Sequence, residues 1–396
     1  MGEQGNINGW VAPGWEGVRE AFAANFVEHG DVGAATAVHH RGHLVVDLWG
    51  GTYRPDTLQL VFSTTKGWVA ALANLLVQRG ELDIDVPVAE YWPEFECEGK
   101  ERIPVRQLLT HQAGLPFPTE PCTEDDVLGW DGVVDKLARS TPVWEPGTAH
   151  GYHAVTYGFL VGEVLRRVTG KSVGRLFRDE LAGPLGLDAW IGLPDDEQHR
   201  VEPLVGSLTP PTDGDIDPAL RAMLEQFLGP DTLLGKALSC HGATAGADFF
   251  NRPETRAAEI PAANGVADAR SLSRLYAALV GDVHADERFP AGTQVLEPST
   301  IAAATTLQTS GNDRVLFFES TFGLGFMLSS PFAPYGGAGA FGHAGAGGSV
   351  GFADPDAGLG FGYVMSRMLQ NLTGDPRTRG LIAAAYDAAG VTPTHV

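Results

Sequence analysis

Residues 60–80 read LVFSTTKGWVAALANLLVQRG, and one charge in this stretch decides how the rest of the chain is read. Trp68, Ala71, Leu72, Leu75 and Leu76 recur at the i, i+3, i+4 spacing of a helix with one apolar face, and Gly80 is its stop. Lys66 stands at the head of that helix, three residues after Ser63. Burying an ammonium group in a core helix costs stability, so the lysine either reaches water or serves a reaction. Residues three apart on a helix are neighbours, which brings the Ser63 hydroxyl to the Lys66 amine. A hydroxyl is a weak nucleophile until a base takes its proton, and desolvation lowers a lysine pKa far enough to make it that base. The helix N-terminus adds a field that favours negative charge at Ser63. Of the other lysines, Lys100, Lys136, Lys171 and Lys236, none follows a serine by three. The competing reading is a surface lysine near a helix start.

Outward from this stretch the chain changes character twice. Before it, residues Ala34 to Trp49 read as two β-runs joined by a short Gly-containing turn. After it, from Leu82 to about Thr300, the pattern is helical and loop-rich. VRQLLTHQAGLP (105–116) reads as a short helix ending at Gly114 and Pro116. Tyr157, Leu160, Val161, Val164, Leu165 and Val168 mark an amphipathic helix stopped by Gly170, and Leu272, Leu275, Tyr276 and Leu279 mark another. Residues 194–262 are rich in Pro, Asp and Gly, as surface loops bordering a site often are. The last hundred residues return to β character. VLFFESTFGLGFMLS (315–329) is strand-like, GGSVGFADPDAGLGFGYVMS (347–366) reads as two strands about a Pro-Asp-Ala-Gly turn, and RTRGLIAAAYDAAG (377–390) is a closing helix. The expectation is an α+β chain. Residues 1–81 and 300–396 form a sheet domain built from both termini, and residues 82–299 an inserted, mainly helical domain whose long loops border the active site.

A length of 396 residues allows two or three structural regions, and 43% hydrophobic with 19% charged residues is ordinary globular composition. A formal net charge of -22 repels phosphate backbones and anionic membrane surfaces, so neither nucleic acid nor membrane is expected as a partner. No stretch approaches the roughly 18–20 apolar residues of a membrane span. The start, MGEQGNINGWVAPGWEGV, has neither a basic head nor an apolar run, so no secretory signal is expected. Cys97, Cys122 and Cys240 are an odd count without metal-like spacing, which fits reduced thiols and a cytoplasmic location.

Three further motifs compete for attention. Gly347-Gly348-Ser349-Val350-Gly351 matches G-x-S-x-G. That elbow needs a helix after the serine and a later acid and histidine, whereas a strand and turn follow and the next histidine is His395. Gly337-Ala338-Gly339-Ala340-Phe341-Gly342 matches G-x-G-x-x-G, but the HAGAGGSV that follows cannot be the helix a dinucleotide site requires. His39, His40 and His43 lack a carboxylate or cysteine partner, so no metal is expected and a solvated hairpin turn is the plainer reading. His111 and His241 stand alone by spacing and read as structural.

Several of these stretches together resemble the serine β-lactamase-like superfamily of class C β-lactamases, DD-peptidases and family VIII carboxylesterases. FSTTKG with its apolar helix is the first. VRQLLTHQAGLP and WEPGTAHGYHAVTYGFLVGEVLRRVTGKSV (144–173), followed by LAGPLGLDAWIG, come next, and FGHAGAGGSVGFADP (341–355) is the last. Their order and spacing agree over roughly residues 30–390. The resemblance implies a β-lactamase/transpeptidase-like fold, an antiparallel sheet flanked by helices. It also implies Ser63 as acylated nucleophile, Lys66 as its partner base, and Tyr152 as a second proton-transfer group that trades a proton with Lys66. The backbone N–H groups of Ser63 and Ala346 would form the oxyanion hole. His343, Ala344, Gly345 and Ala154 would face the substrate, with no cofactor. Two departures bear on substrate. Penicillin-recognising members carry Tyr-x-Asn, where this chain has Tyr152-His153-Ala154, and Lys-Thr-Gly, where it has His343-Ala344-Gly345. Losing an amide donor and a permanent cation weakens recognition of an acylamido, carboxylate-bearing ring, and uncharged esters lose less. The expectation is therefore a carboxylesterase acting on small to medium esters. The alternatives are a β-lactamase, D-amino-acid peptidase or acyltransferase on the same fold, and a non-catalytic binding protein that kept it.

Overall fold

The computed structural model describes residues 6–208, 226, 229–246, 248–285 and 294–396, so part of the loop-rich stretch 194–262 lies outside the described residues. A nine-stranded antiparallel sheet takes strands from both ends of the chain. Its strands are β1 (Asn8–Val11), β2 (Gly33–His40), β3 (His43–Gly51), β7 (Thr309–Asn312), β8 (Glu319–Phe322), β9 (Met327–Leu328), β10 (Phe341–Ala344), β11 (Val350–Asp354) and β12 (Leu359–Met365). They lie in the order β1-β3-β2-β12-β11-β10-β9-β8-β7. Between them in sequence, β4 (Gln59–Leu60), β5 (Ala189–Trp190) and β6 (Val266–Ala267) form a small separate sheet. The helices that matter here are α1 (Glu16–Ala24), α2 (Thr65–Gln78), α3 (Val105–Leu109), α4 (Thr156–Thr169), α5 (Ala269–Val280) and α6 (Pro376–Ala389).

Strand alternation explains the layers. Val38, Phe352, Phe361 and Tyr363 point to one face, where α1 and α6 cover them with Phe22, Leu381 and Tyr386. Their neighbours Ala37, Ala353 and Val364 point to the other, against Leu272, Leu275 and Leu279 of α5. The glycines of GLGFGY have a use there. A Cβ at Gly360 would strike the Ser273 carbonyl and one at Gly362 the Ala269 carbonyl, so α5 lies almost on the strand backbone. Helix α2 is buried nearly all round, as an almost wholly apolar helix should be, and its Trp68 stacks on Phe177 at 5.0 Å.

The hairpin Ala34–Trp49, α2 with its Gly80 stop, α4, α5, the β11–β12 hairpin and α6 all stand where the sequence places them. Three local readings are corrected. Helix α3 ends at Leu109 rather than running to Gly114, because His111 adopts φ +59 and turns the chain away. The strand-like run 315–329 is broken into β8 and β9. Gly325, at φ +87, packs its backbone against Ala70 and Tyr157, and the residues before Glu319 hang as a turn on Asp313. His39 is buried against α5, with Nδ1 2.9 Å from Ser273 Oγ, instead of lying in a solvated turn. His40 turns to Trp15 and His43 stacks on His284 at 3.9 Å, so the three imidazoles diverge. Among the described residues no helix is long and apolar enough to cross a membrane.

Candidate active site

Ser63 lies on a tight turn just before α2. Phe62 holds a left-handed φ of +46, and Val61 N–H reaches the Gly265 carbonyl at 2.8 Å. Both threonines of the motif lock this turn. Thr65 Oγ1 donates to the Phe62 carbonyl (2.5 Å) and accepts from Gly265 N–H (2.9 Å), while Thr64 Oγ1 meets Ser349 Oγ at 3.4 Å. Lys66 is fully buried. Its Nζ is 3.1 Å from Ser63 Oγ, 2.6 Å from the Ala154 carbonyl oxygen, 2.9 Å from that of Ala262, and 4.7 Å from the centre of the Tyr152 ring. These hydrogen-bond partners are a hydroxyl and two carbonyls, with no carboxylate to hold a proton on the amine. Burial drives the Lys66 pKa well below the usual lysine value.

Tyr152 arrives from the loop before α4; burial raises its pKa against the smaller opposing effect of the Ser63 hydroxyl, keeping the phenol protonated. Its backbone is fixed by Asp313, whose Oδ1 accepts from the N–H groups of Tyr152 (3.0 Å), Val315 (2.8 Å) and Leu316 (2.9 Å). Asp313 Oδ2 accepts from Ser320 Oγ at 2.8 Å, and that hydroxyl is 3.0 Å from His150 Nε2. Ser63 and Lys66 are thus hydrogen-bonded, and the Tyr152 ring packs beside the amine. Ser63, Tyr152, Ala154, His343 and Ala346 line a cleft of about 930 Å³.

The third motif follows β10 into a glycine turn. Gly345 N–H bonds to the Ser349 carbonyl (2.6 Å), Gly347 N–H to that of Asn371 (3.0 Å) and Gly348 N–H to that of Gly345 (3.1 Å). Among the described residues no protein acceptor takes the N–H of Ala346, nor that of Ser63 at the head of α2. Arg377, buried between Asp31 and Asp375 at 2.8 Å from each, holds the turn from behind by donating to the Gly347 carbonyl at 2.5 Å. Ser349 lies under this turn and gives its hydroxyl to the Val61 carbonyl at 2.8 Å. A strand rather than a helix follows it, so the G-x-S-x-G match is not a nucleophile elbow. A turn and a strand likewise follow Gly337.

The histidines divide by partner. His153 is consumed structurally: Nδ1–H donates to the Gly151 carbonyl (2.7 Å), and Nε2 accepts from Leu115 N–H (2.9 Å). His343 Nδ1–H donates to the Ala344 carbonyl (2.7 Å), while its Nε2 is buried without a partner among the described residues. Burial lowers both to about 3, so His343 offers the cleft a neutral ring. His111 takes the His153 N–H on Nδ1 (3.1 Å) and packs 5.1 Å from the Tyr152 ring. Sequence reasoning missed the carbonyls of Ala154 and Ala262, and missed Asp313. The one available signal was the Asn264-Gly265 turn, whose asparagine side chain folds 255–264 by bonding the Ile260 N–H and the Thr255 and Ala258 carbonyls.

A serine and a lysine three residues apart, joined by a tyrosine from a helical layer at the edge of an antiparallel sheet, define a β-lactamase/transpeptidase-like protein. The chain belongs to the β-lactamase family, whose model matches residues 18–385. It is 34% identical over 379 residues to the esterase/beta-lactamase LipL of Mycobacterium tuberculosis (strain ATCC 25618 / H37Rv), covering 92% of this chain and 84% of that protein. The crystal structure of a family VIII carboxylesterase, 39% identical, is similar with a TM-score of 0.84 over 97% of this chain and 100% of its own. EstA from Arthrobacter nitroguajacolicus Rue61a, 36% identical, gives 0.85 over 96% and 98%.

Proposed function

We propose that this protein is a serine carboxylesterase that cleaves small to medium esters through an acyl-enzyme on Ser63. The observation that carries this reading is the set of partners around Lys66. A neutral amine has two hydrogens and one lone pair. Two backbone carbonyls stand where the hydrogens go, which leaves the lone pair toward the Ser63 hydroxyl 3.1 Å away. Lys66 takes the Ser63 proton as Oγ attacks the ester carbonyl. The N–H groups of Ser63 and Ala346 receive the developing oxyanion, each worth roughly 3–4 kcal/mol in the transition state. Tyr152 protonates the departing alkoxide and regains a proton from Lys66. Water then repeats the sequence on the acyl group and releases the acid.

Substrate choice follows from what lines the cleft. His343 is neutral, and Ala154 presents a methyl group where penicillin-recognising relatives carry an amide, so a carboxylate-bearing ring finds no fixed cation at these two positions. The name of the family VIII carboxylesterase points the same way, and that of LipL, esterase/beta-lactamase, covers both readings. Residues 1–81 and 300–396 supply the nucleophile and the oxyanion backbone, and 82–299 supply Tyr152 and much of the cleft wall. A small-molecule ester is the only partner this reading needs. A net charge of -22 disfavours nucleic acid and anionic membrane, and three free cysteines suit the cytoplasm.

The test is a panel of nitrophenyl esters of graded acyl length with nitrocefin alongside. Ester turnover should dominate and vanish in Ser63→Ala. Nitrocefin turnover rivalling it would overturn the substrate reading in favour of a β-lactamase, and activity surviving in Ser63→Ala would overturn the nucleophile. Failure of a serine-reactive phosphonate to label Ser63 would leave a non-catalytic binder.

A further inference from the structure

The cleft beside Ser63 is larger than a short ester needs. Its volume of about 930 Å³ lies toward the upper end of the ~300–1,000 Å³ of pockets that enclose drug-sized ligands. Among the described residues two apolar walls line it, and each is fastened to a different part of the catalytic machinery. The first is built on Phe62 and Ala346, which share one apolar cluster, and the Phe250 ring packs edge-on against Phe62 at 4.9 Å. Phe62 directly precedes the nucleophile, and Ala346 carries an N–H without a protein acceptor among the described residues. The second wall belongs to the cluster that contains Tyr152. Leu316 and Met327 form it with Phe318 packed against them, and the Phe332 ring lies 3.7 Å from that of Phe318. Asp313 Oδ1 accepts from the N–H groups of both Tyr152 and Leu316, so one oxygen anchors this wall and the tyrosine together. Met368 and Leu372 pack against both clusters and join the two walls. The glycine turn fixes their segment, since Gly347 N–H bonds to the Asn371 carbonyl and Leu369 N–H to that of Gly347, both at 3.0 Å.

We propose that these walls sort the two halves of the ester: the wall of Leu316, Phe318 and Phe332 holds the alcohol part, and the wall of Phe62 and Phe250 holds the acyl part. The favoured substrate is an ester with an apolar chain of several carbons on each side of the carboxyl group. This rests on the esterase reading and on Tyr152 as proton donor to the leaving alkoxide. The alkoxide oxygen then lies at Tyr152, which directs its carbon chain along the residues packed with that ring. The carbonyl oxygen turns to the N–H groups of Ser63 and Ala346, and the acyl chain is left the wall that begins at Phe62. Each methylene that such a wall takes out of water is worth about fourfold in kcat/KM when the transition state keeps the contact. An acetate or a methyl ester leaves one wall wet and forgoes that gain.

Methyl hexanoate and pentyl acetate test the assignment, because they are isomers whose extra methylenes lie on opposite sides of the ester. Hydrolysis is followed in a pH-stat with methyl acetate as reference. Wild type should show kcat/KM at least about tenfold above methyl acetate on both isomers. Phe250→Ala should lower kcat/KM about tenfold for methyl hexanoate and less than about threefold for pentyl acetate, and Phe318→Ala should do the reverse. Phe250→Leu and Phe318→Leu keep most of the apolar surface and should show the same crossing at smaller size, which covers an alanine variant that fails to fold. Equal losses on both isomers, a reversed pattern, or no advantage over methyl acetate would overturn the proposal. The walls are also read without turnover. In Ser63→Ala each isomer at millimolar concentration should raise Tm. Adding Phe250→Ala should remove the shift with methyl hexanoate alone, and adding Phe318→Ala that with pentyl acetate alone. Crossed shifts without turnover in the wild type would overturn the esterase reading and keep the walls, whereas turnover with uncrossed losses would overturn the walls and keep the esterase.

Discussion

Replacing Tyr152 by phenylalanine separates proton transfer from packing. The ring would keep its neighbours: His111 at 5.1 Å, Phe322 at 6.3 Å and His343 at 6.0 Å between centres, and Lys66 Nζ at 4.7 Å. Only the hydroxyl is lost, which costs about 0.5–1.5 kcal/mol of folding free energy and, for a chain of this size, about 0.5–2 °C in Tm. The chemical cost is larger. A positioned proton donor contributes about 10²–10⁴ in rate, or ~3–5 kcal/mol of barrier. That cost should fall where the leaving group needs a proton. An alkyl ester, followed by acid release in a pH-stat, should lose the whole factor, whereas a nitrophenyl ester, whose phenolate leaves unprotonated, should lose much less. Equal losses on the two substrates with Tm preserved would refute Tyr152 as donor to the leaving group and make it the base toward Ser63. A loss below about tenfold on the alkyl ester would remove it from the proton path altogether.

Ser349→Ala removes a buried hydrogen bond to the Val61 carbonyl and the longer contact with Thr64 Oγ1, so we expect a loss of about 1–2 kcal/mol in urea unfolding with ester kcat within a few-fold of wild type; loss of acylation would give the nucleophile to Ser349. Asp313→Ala strips the acceptor from three N–H groups and one hydroxyl, including the N–H of Tyr152, and should cost about 3–5 kcal/mol and most of the activity, whereas Asp313→Asn keeps the Oδ1 acceptor and should cost less in both. His39, His153 and His343 are held near 3 by burial, far below the ~6.5 of an unfolded chain. The unfolded state therefore binds more protons below pH ~6.5, and each imidazole should remove about 1.4 kcal/mol of stability per pH unit as the pH falls toward 3. A urea midpoint unchanged between pH 7.5 and about 5 would contradict those neutral buried imidazoles.

What the sequence revealed follows from how local each signal is. The hairpin, α2, α4, α5 and α6 carry their periodicity within themselves, and Ser63 and Lys66 sit within a single turn, so they read directly. Tyr152 has no local link to Ser63, and only the resemblance of its segment to a family motif singled it out. The sheet of β4, β5 and β6 consists of two-residue strands drawn from positions near 60, 190 and 266, too short to show alternation. The acceptors on Lys66 are main-chain oxygens, which every residue possesses, so no side-chain pattern could announce Ala154 or Ala262. Asp313 carries no local signal of its link to the site, because the Tyr152 N–H it holds lies 161 residues earlier in the chain. His153 and His343 could be placed in their motifs, but their neutrality depends on burial that only the fold supplies.

The carbonyls that set the state of Lys66 belong to backbone, one beside the loop carrying Tyr152 and the other from the segment just before α5. Amino-acid substitution at 154 or 262 changes a methyl group and leaves those oxygens in place, provided the chain path holds. A lineage drifting toward new substrates, or a laboratory selecting for them, can therefore rewrite the side chains along the cleft without disturbing the oxygens on Lys66. The vulnerable changes are insertions or deletions between 144 and 154 or between 255 and 265, which would move an oxygen away from Lys66 while leaving Ser63, Lys66 and Tyr152 all present.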